Sequence, residues 1–506
     1  MRRYGRIAST STVIAIALVG VGPGAPGMRT AQATPLDEPH IGGVGFSGPT
    51  TGDLAAVHWN PAAISLIEGN QLRLGADFTM ARSTVTRAAI SPTTGVPSEG
   101  GTPFPGVTGK GNTAPLSWPP GPGFFAGFAV NVGGRFNLAI AGYTPSYQQI
   151  SFSDAGAVTR FHMRSAELQN FALVPAIAIR VNKRLRVGVA PGFLFSTARL
   201  AFDQDTALSM GSAGLQALCN GQPCGAENPS AAARYDLNGG SLFSDSPTLT
   251  LAGGIHYQWD RFGLGVSYNS RPIGNDRGGI VVPLPRSRID APPRDGGPAI
   301  CPTGNCITGS LQYRLPDAIT VGGSWILNAR FTVDAAVRFL RFSAHDHFSI
   351  RVVAPANVDL GARGIDDRFV IRRGFRDQLD TRGMLVWRPS DTVRLGAGLR
   401  ITTAAVPAKQ VNPGAIDGLS LEPRIAASLR WHWVTLSAGY ALAIIPTVDS
   451  DGSGFSPADA VACVDGGRDL GLPSCANAAR GGARPTAAGS YHEMRHVFGT
   501  SITTHF

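Results

Sequence analysis

The chain carries little charge for its length, 15% of 506 residues, and beyond its N-terminal stretch it has no run of about eighteen apolar residues. No membrane-spanning helix is therefore available, while crossing a membrane with strands stays open. The G-x-S-x-G and P-loop spellings are missing, so a serine nucleophile elbow and a Walker-type phosphate cradle have no candidate. Basic runs interleaved with aromatics are also missing. The formal charge of +10 comes from arginines dispersed along strands and loops, which does not point to nucleic acid. Cysteine is scarce and falls as three close pairs, Cys219/Cys224, Cys301/Cys306 and Cys463/Cys475, each in a Gly/Pro/Asn-rich stretch. Without clustered histidines a zinc site is the lesser reading, and in an exported protein such pairs read as disulfides stapling loops.

What is present is glycine, 64 residues of it, with few helical stretches. One large all-β unit fits this composition better than two or three soluble domains. The N-terminus reads as a secretory leader over residues 1–33: Arg2, Arg3 and Arg6 are the basic region, Ile7 to Gly22 is mostly apolar, and Ala31-Gln32-Ala33 supplies an A-x-A cleavage site. Removing it takes away four arginines and no acids, so the mature chain from Thr34 has a formal charge of +6 rather than +10.

From Gly69 onward the period is two. Leu72, Leu74, Ala76, Phe78 and Met80 alternate with Gln71, Arg73, Gly75, Asp77 and Thr79; Phe331, Val333, Val337 and Phe339 alternate with Thr332, Asp334, Ala336 and Arg338. A soluble sandwich turns its apolar face to a packed core, whereas an outer-membrane barrel turns it to lipid and lines its lumen with the polar face. Alternation alone does not separate the two, but loop asymmetry does. Fourteen strands are predicted, at about 70–81, 122–132, 135–145, 165–181, 185–200, 247–259, 261–271, 311–327, 330–343, 376–388, 392–403, 419–431, 433–445 and 490–506. Connections after even-numbered strands are tight, such as Gly133-Gly134 and Asn182-Lys183-Arg184, and those after odd-numbered strands are long. Short turns at one rim and long loops at the other predict a 14-stranded antiparallel transmembrane β-barrel. Trp325, Trp387, Trp431 and Trp433 near strand ends fit an interfacial girdle or ordinary strand propensity equally well.

His492-Glu493-Met494-Arg495-His496 spells H-E-x-x-H, which on a helix puts two histidines and a general-base glutamate around zinc. Here it opens the last alternating segment. On a strand Glu493 points away from both histidines, so a metalloprotease is not expected. Gly43 to Gly48 spells G-x-G-x-x-G without a preceding strand, and reads as a glycine-rich turn rather than a dinucleotide site. His345-Asp346-His347 reads as loop histidines before a metal site. Arg199, Arg372, Arg373 and Arg376 are either solvated rim charges or, inside an apolar pocket, partners for a ligand carboxylate.

With these residues in view the chain resembles the FadL-type outer-membrane transporters of long-chain fatty acids and other hydrophobic compounds. The likeness is carried by the Gly-rich opening ending in Asn60-Pro61-Ala62, the segment Ala166 to Val189, Arg314-Leu315-Pro316-Asp317, Gly374-Phe375-Arg376-Asp377 and the closing HVFGTSITTHF, in family order. It implies a fourteen-stranded barrel over 69–506 whose lumen is closed by an N-terminal hatch, here 34–68, with Asn60, Pro61 and Ala62 as a latch between hatch and wall. It implies ligand capture near the extracellular loops, an internal apolar site with basic head-group residues (Arg199 and the arginines around Gly374-Phe375), and sideways release at a kink in the third strand, here Gly142-Tyr143-Thr144-Pro145. A monomer in the bacterial outer membrane is expected, without cofactor or enzymatic activity. Its partners would be a fatty acid or hydrocarbon ligand, outer-membrane lipids and the barrel-assembly machinery. The rivals are a water-filled general porin, a zinc metalloprotease and a soluble secreted sandwich.

Overall fold

The computed structural model describes residues 40–45, 47–87, 113–115, 121–152, 159–205, 232–239, 247–273, 279–291, 299–302, 304–345, 347–360, 365, 367–372, 374–451, 464–465, 468–469 and 487–506. The leader, Cys219, Cys224, Cys463 and Cys475 lie outside the described residues.

Among the described residues, alternating sequence supplies the fourteen strands of the barrel: β1 (Gln71–Arg87), β2 (Gly121–Val132), β3 (Phe136–Ser151), β4 (Ser165–Arg180), β5 (Leu185–Asp205), β6 (Thr248–Gln258), β7 (Phe262–Asn269), β8 (Ala318–Ile326), β9 (Phe331–Leu340), β10 (Gln378–Trp387), β11 (Val393–Thr402), β12 (Ser420–Trp431), β13 (Val434–Ser450) and β14 (Gly489–His505). Each pairs antiparallel with its neighbours, and β14 returns to β1 with Gln71 opposite His505 and Arg87 opposite Gly489. The result is a closed 14-strand barrel, and closure pairs the first strand with the last so that the sheet has no free outer edge.

Burial decides which face meets what. On β1 Leu74 and Phe78 are 48% and 45% exposed, while Arg73 and Asp77 are 6% and 7% exposed. The apolar face points out and the charged face in, the reverse of a soluble sandwich. The short turns all lie at one rim. The first of these, Gly133-Gly134-Arg135, joins the paired residues Val132 and Phe136 and takes left-handed backbone at both glycines (φ +63° and +69°), where a residue without Cβ is unstrained. Exposed Trp325, Trp387, Trp431 and Trp433 gather at that same rim.

The eighth strand starts at Ala318, not 311. Thr308–Tyr313 belongs instead to a separate four-stranded sheet with Ile280–Pro283, His347–Val353 and Arg368–Arg372 on the long-loop side. Pro316 supplies the reason: with no N–H it cannot continue a ladder, and Arg314–Asp317 becomes the link between the two sheets. Cys301 and Cys306 form a disulfide that closes the loop leading into this cap. Its inner residues Val282, Leu311, Tyr313 and Ile350 are buried in the same apolar cluster as the N-terminal segment.

Candidate functional site

The N-terminal segment lies in the lumen. Its glycine-rich start turns through left-handed φ at Gly42, Gly43 and Gly45, and among the described residues it has neither a preceding strand nor a following dinucleotide-type helix. A one-turn helix α1 (Ala56–Trp59) follows, then the 3-10 turn Pro61–Leu66, with Asn60 between them. Asn60 is fully buried. Its Oδ1 accepts from Ala62 N at 3.1 Å, and its Nδ2 donates to Pro49 O at 2.8 Å and across to Ile255 O on β6 at 3.0 Å. Pro61 opens the 3-10 turn where no N–H is needed. Asn60 and Pro61 thus touch the wall, and Ala62 is buried beside them.

Why the segment fits is written in wall glycines. A Cβ at Gly188 (β5) would overlap Pro61 and Ala62, one at Gly254 (β6) would overlap Asn60, one at Gly265 (β7) would overlap Pro49, and one at Gly439 (β13) would overlap Val44. Side chains there would fill the lumen that the segment occupies. Polar bonds add to the seat: Arg73 pairs with Asp53 at 2.6 Å, Asn137 donates to Ile67 O at 3.2 Å, and Asn269 donates to His58 O at 3.0 Å.

His58 faces a cavity of about 120 Å³ lined mainly by Tyr143, Pro145, Ala172, Val174, Ala190, Leu194, Leu315, Leu340 and Phe342. Arg338 from β9 stands at its edge with Nη1 3.2 Å from His58 Nε2. A guanidinium only donates, so Nε2 accepts and the imidazole carries its proton on Nδ1, which is 3.4 Å from Tyr143 Oη. Neighbouring Trp59 sits under two cations, Arg382 at 4.0 Å and Arg338 at 5.2 Å from its ring centre.

Tyr143 marks a break in the wall. β3 pairs with β2 from Phe136 to Tyr143 and no further, yet continues along β4 to Ser151 after a register shift between Tyr143 and Ser146. Pro145 lies inside the shift, where a missing N–H is tolerated. Beyond the break Thr144, Tyr147 and Gln148 are buried, so the strand turns inward. A chain of bonds ties this segment to the cap: Tyr313 Oη donates to Asn170 Oδ1 at 2.9 Å, and Asn170 Nδ2 donates to Ser146 Oγ at 2.7 Å.

The rest of the lumen is ionic. Asp380 is fully buried between Arg382 and Arg400, each at 3.0 Å; Glu422 pairs with Arg400 at 3.6 Å, with Arg424, and with His40 at 2.8 Å; Glu493 pairs with Arg495 at 3.0 Å. Apolar lining therefore belongs to the β3–β9 side and most of the buried charge to the β10–β14 side.

The arginines named from sequence do not meet at the cavity. Arg199 is 54% exposed by side chain and pairs at 3.6 Å with Glu167 on the outer face. Arg376 is exposed, Arg372 contributes its backbone to the cap strand Arg368–Arg372, and Arg373 lies outside the described residues. Gly374-Phe375-Arg376-Asp377 is a corner: Phe375 is buried 5.3 Å from the His345 ring, and Asp377 accepts from Ser343 N at 3.0 Å. His345 is buried, and Asp346 is outside the described residues. On β14 His492 and His496 face away from buried Glu493, as strand parity requires. Among the described residues no group of His, Cys, Asp and Glu could hold a metal ion. The basic residue that does reach the cavity, Arg338, was visible in sequence only as one polar position of an alternating strand.

A protein-family profile described as "Outer membrane protein transport protein (OMPP1/FadL/TodX)" matches residues 27–414. No curated protein matches. Among solved structures, a Pseudomonas aeruginosa FadL homologue is similar with a TM-score of 0.68 at 14% identity, covering 94% of this chain and 100% of the other. The Pseudomonas putida toluene transporter TodX has a TM-score of 0.60 at 12% identity (92% and 99% covered), and the Ralstonia pickettii toluene transporter TbuX 0.55 at 14% (93% and 98%). At these identities the likeness is one of fold.

Proposed function

The chain belongs to the outer membrane transport family of FadL and TodX, a family of channels for hydrophobic compounds rather than of enzymes, and on that basis we propose how this member passes its ligand. A compact hydrophobic molecule descends from the cap into the cavity beside His58 and leaves sideways where β3 parts from β2, while residues 40–68 act as a hatch that blocks the straight path to the periplasm. Passive flow suffices, since a greasy solute gains by moving from pocket to lipid without crossing water.

The observation that carries this is the cavity itself, whose wall is the kinked segment Tyr143–Ser146 and whose floor is His58 of the hatch. At about 120 Å³ it is near the roughly 150 Å³ of an engineered apolar cavity that takes up benzene. One aromatic ring suits it; an extended acyl chain does not without rearrangement. A second reading, a carboxylate ligand, is favoured by Arg338, whose guanidinium borders the same space.

Uptake of toluene and of palmitate by cells making the chain, compared with Ala172→Phe, tests both. Ala172 is buried in the lining, so the larger ring fills the cavity. Loss of toluene uptake with the barrel still folded on a heat-modifiability gel is expected; unchanged uptake removes the cavity from the pathway. Arg338→Met separates the readings, because only a carboxylate ligand loses affinity.

A further inference from the structure

Bases stand at both rims of the barrel, and on the long-loop side some of them are paired with acids. On the long-loop side Arg164, Arg199, Arg234, Arg288 and Arg341 each stand within 4.0 Å of a carboxylate, those of Asp203, Glu167, Asp236, Asp290 and Asp317. At the short-turn rim Arg135, Lys183, Arg184, Arg261 and Arg330 occupy the tips of four successive turns from β2 to β9, all exposed. None of these five has an ion-pair partner among the described residues. One acid, Asp260, shares the arc.

Directly beside these tips, on the lipid-facing surface, lie exposed Phe136, Trp259, Phe262 and Trp325. Trp259 and Phe262 are in contact, with ring centres 5.4 Å apart. Aromatic rings of this kind settle at headgroup depth. The bases therefore sit at the plane of the phosphates of the periplasmic leaflet, since short turns of such barrels are periplasmic.

We propose that this rim is a collar for anionic glycerophospholipid, with acyl chains against the aromatic belt and the negatively charged headgroup against the turn-tip bases. The arc runs around the barrel wall in the membrane plane instead of forming a compact patch, which is the footprint of lipid and not of a docked acidic protein. It begins at the β2–β3 turn, on the pair of strands that separate at Tyr143. The leaflet below the wall break is thus the one the collar organises.

The full chain is reconstituted into vesicles of equal phosphatidylethanolamine and phosphatidylglycerol, re-extracted in mild detergent, and its retained lipid quantified by mass spectrometry. One base near an anionic headgroup gives a preference on the order of fivefold, so phosphatidylglycerol should be enriched by about that factor and the enrichment should shrink in high salt. Changing Arg135, Lys183, Arg184, Arg261 and Arg330 all to Gln should bring the ratio to that of the vesicle. Arg234→Gln with Arg288→Gln, on the other rim, should leave it alone. If the fivefold variant does not fold, Lys183→Gln with Arg184→Gln should still lower the ratio. Equal retention of both lipids by the native chain, or enrichment that survives neutralisation, overturns the proposal. The readout needs no transported ligand, so it stands or falls apart from the uptake pathway.

Discussion

His58 Nδ1 lies 3.4 Å from Tyr143 Oη, joining the helix of the lumenal segment to the last residue of β3 that still pairs with β2. A single side chain thus spans the lumenal segment, the cavity and the wall break. Arg338 on its other nitrogen fixes the ring between them. His58→Ala removes both contacts, each worth about 1 kcal/mol. Amide exchange across α1 should quicken by roughly tenfold or more, with the barrel ladders unchanged. Unaltered exchange in α1 would show that the ring does not hold the segment.

Wall glycines make a stronger test of the hatch. Gly265→Val places a branched side chain where Pro49 O lies, and Gly188→Val does so at Pro61. Neither change disturbs the lipid-facing side of the strand, so the barrel should assemble while the lumenal segment is pushed away. Small-solute conductance in liposomes should then rise well above that of the native chain. A folded but still closed Gly265→Val barrel would contradict the packing described.

Pro145 is expected to keep the wall open. Pro145→Thr restores an N–H and a side chain that favours strands, which should extend β2–β3 pairing and slow ligand uptake several-fold without loss of folded protein. Uptake equal to that of the native chain would place the exit elsewhere.

Glu493 holds the barrel together through its ion pair. It is fully buried against Arg495, and removing one member of a buried pair costs roughly 3 kcal/mol. Glu493→Ala should lower the temperature at which the barrel unfolds, whereas His492→Ala should not. Metal analysis of the purified protein should find no stoichiometric zinc.

The cap loop before β12 should respond to pH through Asp417. Burial pushes this carboxyl up to about 6 from 3.8, against the pull of backbone N–H donors at Val406, Ala405 and Gly418 and the charge of Arg495. The folded form therefore holds its proton more tightly than the unfolded one. Stability from this group is fully present below pH 3.8 and is lost as pH rises through about 6. The change is at most on the order of 3 kcal/mol. Protection of the Ala405 and Val406 amides, corrected for intrinsic exchange, should be greater just below pH 6 than above it, and Asp417→Asn should flatten the difference.

Much of the barrel was legible because period-two alternation and turn residues are local. Gln71 to Met80 states its two faces outright, and strand parity alone separates Glu493 from His492 and His496. Arg199 was not legible: Phe193 to Phe202 is apolar on both faces, so parity does not say which way the guanidinium points until pairing with Glu167 on β4 orients it. Thr308–Tyr313 has strand composition whichever sheet it joins, and its partner is chosen by distant Ile280–Pro283 and His347–Val353.

The sequence by itself determined the number of strands, the side on which the long loops lie and the presence of an Asn60-Pro61 turn ahead of the barrel, since each follows from residues a few positions apart. Only the tertiary structure decided that four ordinary glycines form the seat of the lumenal segment, that Arg338 rather than Arg199 reaches the cavity, and that β3 leaves β2 at Tyr143. Those are contacts across the lumen between residues up to hundreds of positions apart, and they exist only once the sheet has closed on the segment it contains.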